Sequence, residues 1–163
     1  MEISRLDAGS EPVQQRLVDV RCIVAALISA RGWEGQVAVD GEPLTLTTDP
    51  RRIERIVANL VGNAVEHSGR SVGVRTGTDG AYGLVDVADA GPGVPPEHLP
   101  HVFERFYKAD SARTSPGSGL GLAIALENAR LLGGNISVSS DVKRGSVFRL
   151  TLPLRPAGDV SER

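Results

Sequence analysis

The chain of 163 residues is poor in cysteine and in long apolar runs. Its single cysteine, Cys22, excludes an internal disulfide framework, and because it lies in the apolar run 22–30 we expect it in the core. That run is far too short to cross a bilayer, and the polar, charged N-terminus is unlike a signal peptide. We therefore expect a domain that lies in a reducing cytoplasm and makes no direct contact with a membrane.

An excess of positive charge is also missing. The chain carries 18 Lys and Arg residues against 20 Asp and Glu residues, a formal net charge of −2. No global positive field favours nucleic acid, so we expect no nucleic-acid partner. The basic residues are scattered, and we interpret the short cluster Arg51-Arg52 as part of a solvated surface. Hydrophobic residues make up 40% and charged residues 23% of the chain, values typical of one globular domain with its own core.

Alternating and helical patterns divide the chain into elements. An edge strand, a helix and the two strands of a hairpin are predicted over 13–20, 22–30, 36–40 and 44–48. Asp49-Pro50 begins a helix with a buried stripe: Ile53, Ile56, Val57, Leu60, Val61 and Ala64. Downstream, a hairpin, a helix and two closing strands are predicted over 71–78 with 81–88, 118–132, 135–139 and 146–153.

Two asparagines, Asn59 and Asn63, lie one helical turn apart beside the buried stripe. Amide oxygens are hard ligands that can bind Mg²⁺ together with nucleotide phosphates, although two exposed helical asparagines would look the same. Asn59 carries a further inference, because a carboxylate at this position could act as general base on water and an amide cannot. We therefore expect a pocket that holds ATP and hydrolyses it poorly.

Two glycine-containing stretches follow. Asp89 is predicted at a strand end before Gly91 and Gly93, where its carboxylate could accept from the adenine amino group or only close a turn. The cluster 117–122 opens a helix, whose N-terminal N–H groups favour phosphate; a flexible loop is the alternative. Between these stretches, the proline-rich, polar segment 94–116 with its aromatic residues is typical of a mobile lid.

Four stretches in this order resemble the N, G1, F and G2 boxes of the catalytic and ATP-binding domain of sensor histidine kinases: 59–68, 89–93, 103–107 and 117–122. These kinases act in two-component systems and belong to the GHKL or Bergerat superfamily. The resemblance implies a two-layer α/β sandwich, the Bergerat fold, with a mixed, mostly antiparallel sheet of about five strands. It also implies about three helices on one face of the sheet and a flexible ATP lid over 94–116.

The resemblance also implies roles for individual residues. Asn59 and Lys108 would serve catalysis, and Asn63 with help from Asn59 would bind Mg²⁺. ATP or ADP would contact a larger set: Asn59, Asn63, His67, Asp89, Gly91, Gly93, Arg105, Tyr107, Lys108, Gly117, Ser118, Gly119, Leu120, Gly121 and Leu122.

The resemblance further implies how the chain fits into a longer kinase. Residues 1–9 resemble the end of a preceding dimerisation helix, 10–154 the ATP-binding catalytic domain, and 155–163 a C-terminal tail. The implied partners are a histidine-containing dimerisation domain and a response regulator, and the implied parent is a sensor kinase of the inner or plasma membrane. The oligomeric state of the fragment stays open, and a monomer is compatible with it.

Two residues depart from the family pattern. Glu66 stands where many members carry a basic residue that contacts phosphate, and a carboxylate there would repel phosphate unless it is turned away. His67 stands where a tyrosine or histidine packs near the base, so contact with nucleotide and packing alone fit it equally. The three histidines, His67, His98 and His101, lie outside any His-Glu-x-x-x-Pro motif. We therefore expect ATP binding, with phosphotransfer only when a histidine-bearing hairpin is supplied.

Two alternatives share the same fold. A free-standing anti-sigma-factor serine kinase fits 63–67 as well, but such proteins usually carry a carboxylate at the position of Asn59 and a less developed F box. A gyrase-like or chaperone-like ATPase is disfavoured by the same asparagine. The histidine kinase is therefore the preferred prediction.

Overall fold

Three helices and seven strands make up the described part of the chain, which is residues 11–68, 71–108 and 119–155 of a computed structural model. In chain order they are β1 (Arg16–Asp19), α1 (Val20–Arg31), β2 (Val37–Gly41), β3 (Thr45–Thr48), α2 (Pro50–Ser68), β4 (Val72–Asp79), β5 (Tyr82–Asp89), α3 (Gly121–Leu131), β6 (Asn135–Asp141) and β7 (Gly145–Pro153). A short 3₁₀ turn, Leu99–His101, lies between β5 and α3.

Five strands form one mixed sheet in the order β2-β4-β5-β7-β6. The pair β2–β4 is parallel and the other three pairs are antiparallel. Alternate residues of the central strands are buried, and they share one core with residues of all three helices. The α/β sandwich and the mixed, mostly antiparallel sheet are therefore confirmed. Strands β1 and β3 form a separate antiparallel pair.

Helix α2 begins where Asp49-Pro50 predicts. The carboxylate Oδ1 of Asp49 accepts a hydrogen bond from the backbone N–H of Arg51 at 3.0 Å, which satisfies a donor in the first turn. All six residues of the predicted stripe are at most 1% exposed: Ile53, Ile56, Val57, Leu60, Val61 and Ala64. The helical spacing therefore located both the start and the buried side of this helix.

The predicted hairpin of 36–40 with 44–48 is wrong. Strand β2 pairs parallel with β4, and the backbone N–H of Glu42 continues this pairing by donating to the carbonyl of Thr76 at 2.8 Å. Gly41 has φ +97°, and a Cβ there would lie 2.2 Å from the same carbonyl, so the chain turns against β4 and away from β2. The next segment then pairs with β1. Alternation identified both strands correctly but carries no information about their partners.

Two predicted environments are also wrong. Cys22 is exposed, because the inward side of α1 is made by Val20, Val24, Leu27 and Ile28. The Asp19 carboxylate, which accepts from the backbone N–H of Cys22 at 3.1 Å, raises the pKa of the thiol. Arg52, assigned to a solvated surface, is only 6% exposed, because its guanidinium binds partners inside the fold.

Most other bounds lie within a few residues of those predicted. The edge strand is shorter than expected at Arg16–Asp19, and α3 begins at Gly121 rather than at 118. Among the helices of 11–68, 71–108 and 119–155, none combines the length and apolar character that a bilayer crossing requires. The predicted helix remnant at 1–9, residues Gly117 and Ser118, part of the lid and most of the tail lie outside the described residues.

Candidate functional site

The polar side of α2 carries Asn59 and Asn63, one turn apart and both half-buried. Their neighbours Leu60 and Ala64 are buried, so the amides stand at the edge of the core and not on an open surface. Glu66 and His67, one turn further on, are exposed. Of these four polar residues, the two amides lie closer to packed structure than Glu66 and His67 do.

Helix α3 begins next to Asn59. A Cβ on Gly121 would lie 3.5 Å from the Asn59 amide oxygen, an ordinary van der Waals distance, so the two helices are in contact at this point. The N-cap residue Leu120 makes no side-chain capping bond and is 4% exposed. The first N–H groups of α3 therefore have no side-chain cap from Leu120, which is the condition for binding an anion at a helix N-terminus.

Asp89 is the last residue of β5, as predicted. Its Oδ1 accepts a hydrogen bond from the N–H of Gly91 at 2.9 Å, so the expected turn is present. A Cβ on Gly91 would lie 2.9 Å from the Cα of Ser68, which joins this loop to the end of α2. Helix α2 thus contacts the start of α3 beside Asn59 and the loop after β5 beside Ser68.

The glycines around Asp89 are required by the backbone. Gly93 has φ +76°, and a Cβ there would lie 2.2 Å from the carbonyl oxygen of Asp141. Gly145 has φ +104°, and its Cβ would lie 2.0 Å from the carbonyl oxygen of Asp89. The turn between β6 and β7 therefore packs against the loop that carries Asp89. Sequence reasoning missed this support, although Gly145 was recognisable as a turn residue.

The aromatic segment is anchored on the sheet. The Phe103 ring packs edge-on against Phe148 of β7, with ring centroids 6.0 Å apart. Three residues later, the Phe106 N–H donates to the Gly119 carbonyl at 3.0 Å, and both residues have positive φ, 65° and 75°. These contacts hold together the two ends of the chain that border 109–118.

The other predicted residues of this segment have protein partners. Tyr107 is half-buried beside His98 and His101, with ring centroids 5.8 and 5.3 Å away, and its hydroxyl is hydrogen-bonded to Nδ1 of His98. An Arg105 guanidinium nitrogen lies 3.7 Å from a carboxylate oxygen of Glu127 on α3. Lys108 is half-buried. The segment is therefore tied to α3 as well as to the sheet.

Leu120 and Leu122 serve packing in this structure, since the first is buried and the second lies against the core. Within the described ranges, no group of three or more His, Cys, Asp and Glu side chains could hold a metal ion. Helix amides, a carboxylate at a strand end and an open helix N-terminus therefore remain as the polar groups of the site. Together with the α/β sandwich they define a nucleotide-binding domain.

Comparison with known proteins gives the same class. A family model described as histidine kinase-, DNA gyrase B- and HSP90-like ATPase matches residues 48–156. The signal transduction histidine-protein kinase AfsQ2 of Streptomyces coelicolor is 44% identical over 164 residues, which cover 99% of this chain and 31% of AfsQ2. The solved structure of the mycobacterial sensor histidine kinase MprB superposes with a TM-score of 0.78 and 32% identity, covering 86% of this chain and 99% of that one.

Full-length ShkA, solved in complex with AMPPNP, superposes with a TM-score of 0.78 at 29% identity, over 94% of this chain and 34% of ShkA. The chain therefore belongs to the family of histidine kinase-, DNA gyrase B- and HSP90-like ATPases, and within it is a catalytic ATP-binding domain of the sensor histidine kinase type. It spans about a third of the length of AfsQ2, at 31%. The predicted family and Bergerat fold are confirmed.

The backbone contact at Gly93 generates a prediction about stability. We expect Gly93→Ala to lower the free energy of unfolding by roughly 2–3 kcal/mol, because the added Cβ meets a backbone oxygen at a positive φ. Urea denaturation of the purified chain measures this change.

Gly77→Ala is the matched control, since Gly77 has no positive φ and a Cβ there would meet nothing within 4 Å. We expect it to leave stability unchanged or to raise it by about 0.5 kcal/mol. Equal denaturation midpoints for the two variants would contradict the assigned contact.

Proposed function

We propose that this domain binds ATP with Mg²⁺ between α2 and the segment 94–116 and donates the γ-phosphate to a histidine on a dimerisation domain. The phosphoryl group would then pass to a response regulator. The observation that carries the proposal is the approach of Asn59 to Gly121, which brings a half-buried amide to a helix N-terminus that has no side-chain cap from Leu120. Oxygen ligands and backbone N–H groups at one place suit a metal-bound polyphosphate.

The metal part of the proposal rests on the kind of ligand present. Magnesium is usually held by few protein ligands together with phosphate oxygens and water. Asn63, helped by Asn59, would supply amide oxygens from adjacent turns of α2, and ATP would supply the rest. Both side chains are half-buried, which restricts their motion at the edge of the cleft.

The other groups would orient the nucleotide. Asp89 would accept from the exocyclic amine of adenine, while Gly91 and Gly93 would shape the loop around the base. The glycine-rich start of α3, from 117 to 122, would hold phosphates. Tyr107, Lys108 and Arg105 would approach from the lid, and Arg105 would have to leave Glu127 to reach a phosphate. His67, exposed at the end of α2, would reach only the rim.

Phosphotransfer rather than hydrolysis follows from the amide at position 59. Attack of water on the γ-phosphate is assisted by a positioned general base, and an asparagine amide cannot accept the proton. A histidine imidazole supplied by the partner is itself a nucleophile. In that transfer the β–γ phosphoanhydride bond breaks, a nitrogen–phosphorus bond forms, the imidazole loses a proton and ADP leaves.

The sensor kinases named above supply the biological setting of the proposal. AfsQ2 is a signal transduction histidine-protein kinase, and ShkA was solved with a nucleotide analogue. We infer a longer parent protein with a histidine-bearing hairpin and a cytoplasmic location for this domain, on a sensor kinase of the inner or plasma membrane. An anti-sigma-factor serine kinase is not favoured, because Asn59 and the anchored aromatic segment both fit the sensor kinases better.

The phosphotransfer itself can be tested with the purified chain. Mixed with ATP labelled in the γ-phosphate and the histidine-bearing hairpin of its parent, the chain should label the hairpin. The label should be lost in acid, because a nitrogen–phosphorus bond is acid-labile. A hairpin without its histidine is the control. Acid-stable labelling of a serine on an antagonist protein, with none on the hairpin, would support the serine kinase instead.

The metal role of Asn63 gives a second prediction. In Asn63→Ala we expect the Mg²⁺-dependent part of ATP binding to disappear, because the amide oxygen that ligates the metal is removed. Calorimetric titration with ATP, with and without Mg²⁺, measures it. Asn135→Ala, at the exposed start of β6, is the control and should bind like the parent chain. Unchanged Mg²⁺ dependence in Asn63→Ala would refute the assignment.

The proposed contact of Asp89 with the adenine amino group gives a third prediction. Asp89→Asn keeps the Oδ1 acceptor that binds Gly91, so the loop should be preserved, but it replaces an acceptor facing adenine with a donor. We expect ATP to bind about tenfold more weakly, with a smaller loss for GTP.

Competition titrations with ATP and GTP give this ratio, and Asp79→Asn at the far end of β4 serves as control. If the preference for ATP over GTP is the same in Asp89→Asn as in the parent chain, Asp89 does not read the base.

A further inference from the structure

Arg52, near the start of α2, is a buried cation. Its guanidinium donates from Nη1 to the Asn128 side-chain oxygen at 2.9 Å and from Nη2 to the Glu11 carbonyl at 2.5 Å. Nε lies 3.7 Å from a carboxylate oxygen of Asp49 and has no hydrogen bond within the described residues. A buried ion pair contributes little net stability compared with apolar residues of similar volume. Its presence here therefore calls for a role in specifying geometry.

Both side-chain partners of Arg52 are held in place. Asn128 is completely buried, and its amide nitrogen donates to the carbonyl of Ile124 at 2.9 Å, so its oxygen points to the guanidinium. Asp49 is 5% exposed; its Oδ1 binds the N–H of Arg51, and its Oδ2 accepts from the N–H of Gln14 at 3.0 Å. Arg52 thus connects α2, α3 and the segment before β1 through groups with little freedom to move.

The contact has a fixed relation to the candidate site. Arg52 and Asn59 are seven residues apart on α2, and Gly121 and Asn128 are seven residues apart on α3. Arg52 contacts Asn128 while Asn59 faces Gly121, so the helices run antiparallel and the two contacts are two turns apart, about 10.5 Å. If α3 moves along α2 as a rigid helix, the displacement at the Arg52–Asn128 contact therefore equals the displacement at the Asn59–Gly121 contact.

Small side chains make up most of the fully buried part of α3. Its buried residues are Ala125, Asn128 and Ala129, while Leu122 and Leu126 are partly buried against the core. Methyl groups protrude little from a helix surface, so the alanines interlock only weakly with the side chains of the α2 stripe. The directional hydrogen bond from Arg52 to Asn128 adds a positional constraint to this packing.

We propose that Arg52 is a positioning residue that sets the register of α3 against α2 and so holds the N-terminus of α3 opposite Asn59, where the phosphates bind. This inference rests on the proposed binding of nucleotide phosphate at that terminus. The Arg52 side chain also donates to the backbone carbonyl of Glu11, so the segment before β1 is bound at the contact that sets the register. The segment before β1 and the phosphate end of the site are therefore connected through one guanidinium.

The test uses a double variant, Arg52→Met with Asn128→Leu, which removes the ion and its amide partner together. The Asp49 carboxylate keeps its two backbone hydrogen bonds but loses its cation, so we expect the thermal midpoint to fall while the chain still folds. The register is then held by packing alone. We expect ATP affinity to fall roughly tenfold or more, and the NMR signals of the Gly121 backbone amide and the Asn59 side-chain amide to shift before nucleotide is added.

Arg51→Met is the matched control, because it removes an exposed arginine about two turns from Asn59 on the same helix and should change neither readout. Arg52→Lys should lie between the parent and the double variant, since an ammonium can replace one arm of the fork. A folded double variant with unshifted Gly121 and Asn59 signals and unchanged ATP affinity would make Arg52 a packing residue only and overturn the proposal.

If the double variant does not fold, Asn128→Ser and Arg52→Lys give the same two readouts, and unchanged values in both variants would overturn the proposal in the same way. The chemical shifts are measured without nucleotide, so they test the register even if ATP binding behaves otherwise. Failure of the parent chain itself to bind ATP would refute the proposed function, whereas shifts confined to the Arg52 and Asn128 variants would still support the register.

Discussion

The structure depends on one helix that must satisfy two opposite demands. Helix α2 buries a complete apolar stripe, from Ile53 to Ala64, against the sheet and the other helices. Beside that stripe it keeps the amides of Asn59 and Asn63 half-buried. A rigid, buried backbone is the best support for polar groups that must meet a ligand with little freedom. Because both the stripe and the amides follow the same helical period, packing and site geometry cannot be changed separately.

Close backbone approaches provide the second support of the site. Gly91 lies against Ser68, Gly93 against the β6–β7 turn, and Gly145 against the carbonyl of Asp89. None of these contacts needs a ligand, because protein atoms already occupy the space that a Cβ would take. These glycines therefore have a structural role that does not depend on a nucleotide. Here the same residues first bring the loop that carries Asp89 to the end of α2, which is where a base would have to be read.

Sequence patterns correctly predicted features that depend on neighbouring residues, whereas the wrong predictions concern contacts between residues that are distant in the chain. The stripe of α2, its capping Asp49 and the strand end at Asp89 follow from period, cap and turn chemistry, which involve neighbours along the chain. The hairpin around Gly41 was wrong because alternation does not name a partner strand. Arg52 was misplaced because its burial depends on Asn128, far along the chain, and its hydrophilic character alone favours solvent.

The same distinction between local patterns and long-range contacts applies to the candidate site. Asn59, Asn63 and the glycine cluster are predicted as site residues from spacing alone, because each motif lies within one or two helical turns. That Asn59 faces Gly121 depends on how two distant helices are registered, which no local pattern contains. In the proposed function, the amide at position 59 cannot act as a general base, so Asn59 would serve by placing phosphate and metal. For the proposed transfer, accurate placement of the phosphates would be the contribution of this helix, so the proposed role of Arg52 in the helix register would be part of the function of the domain.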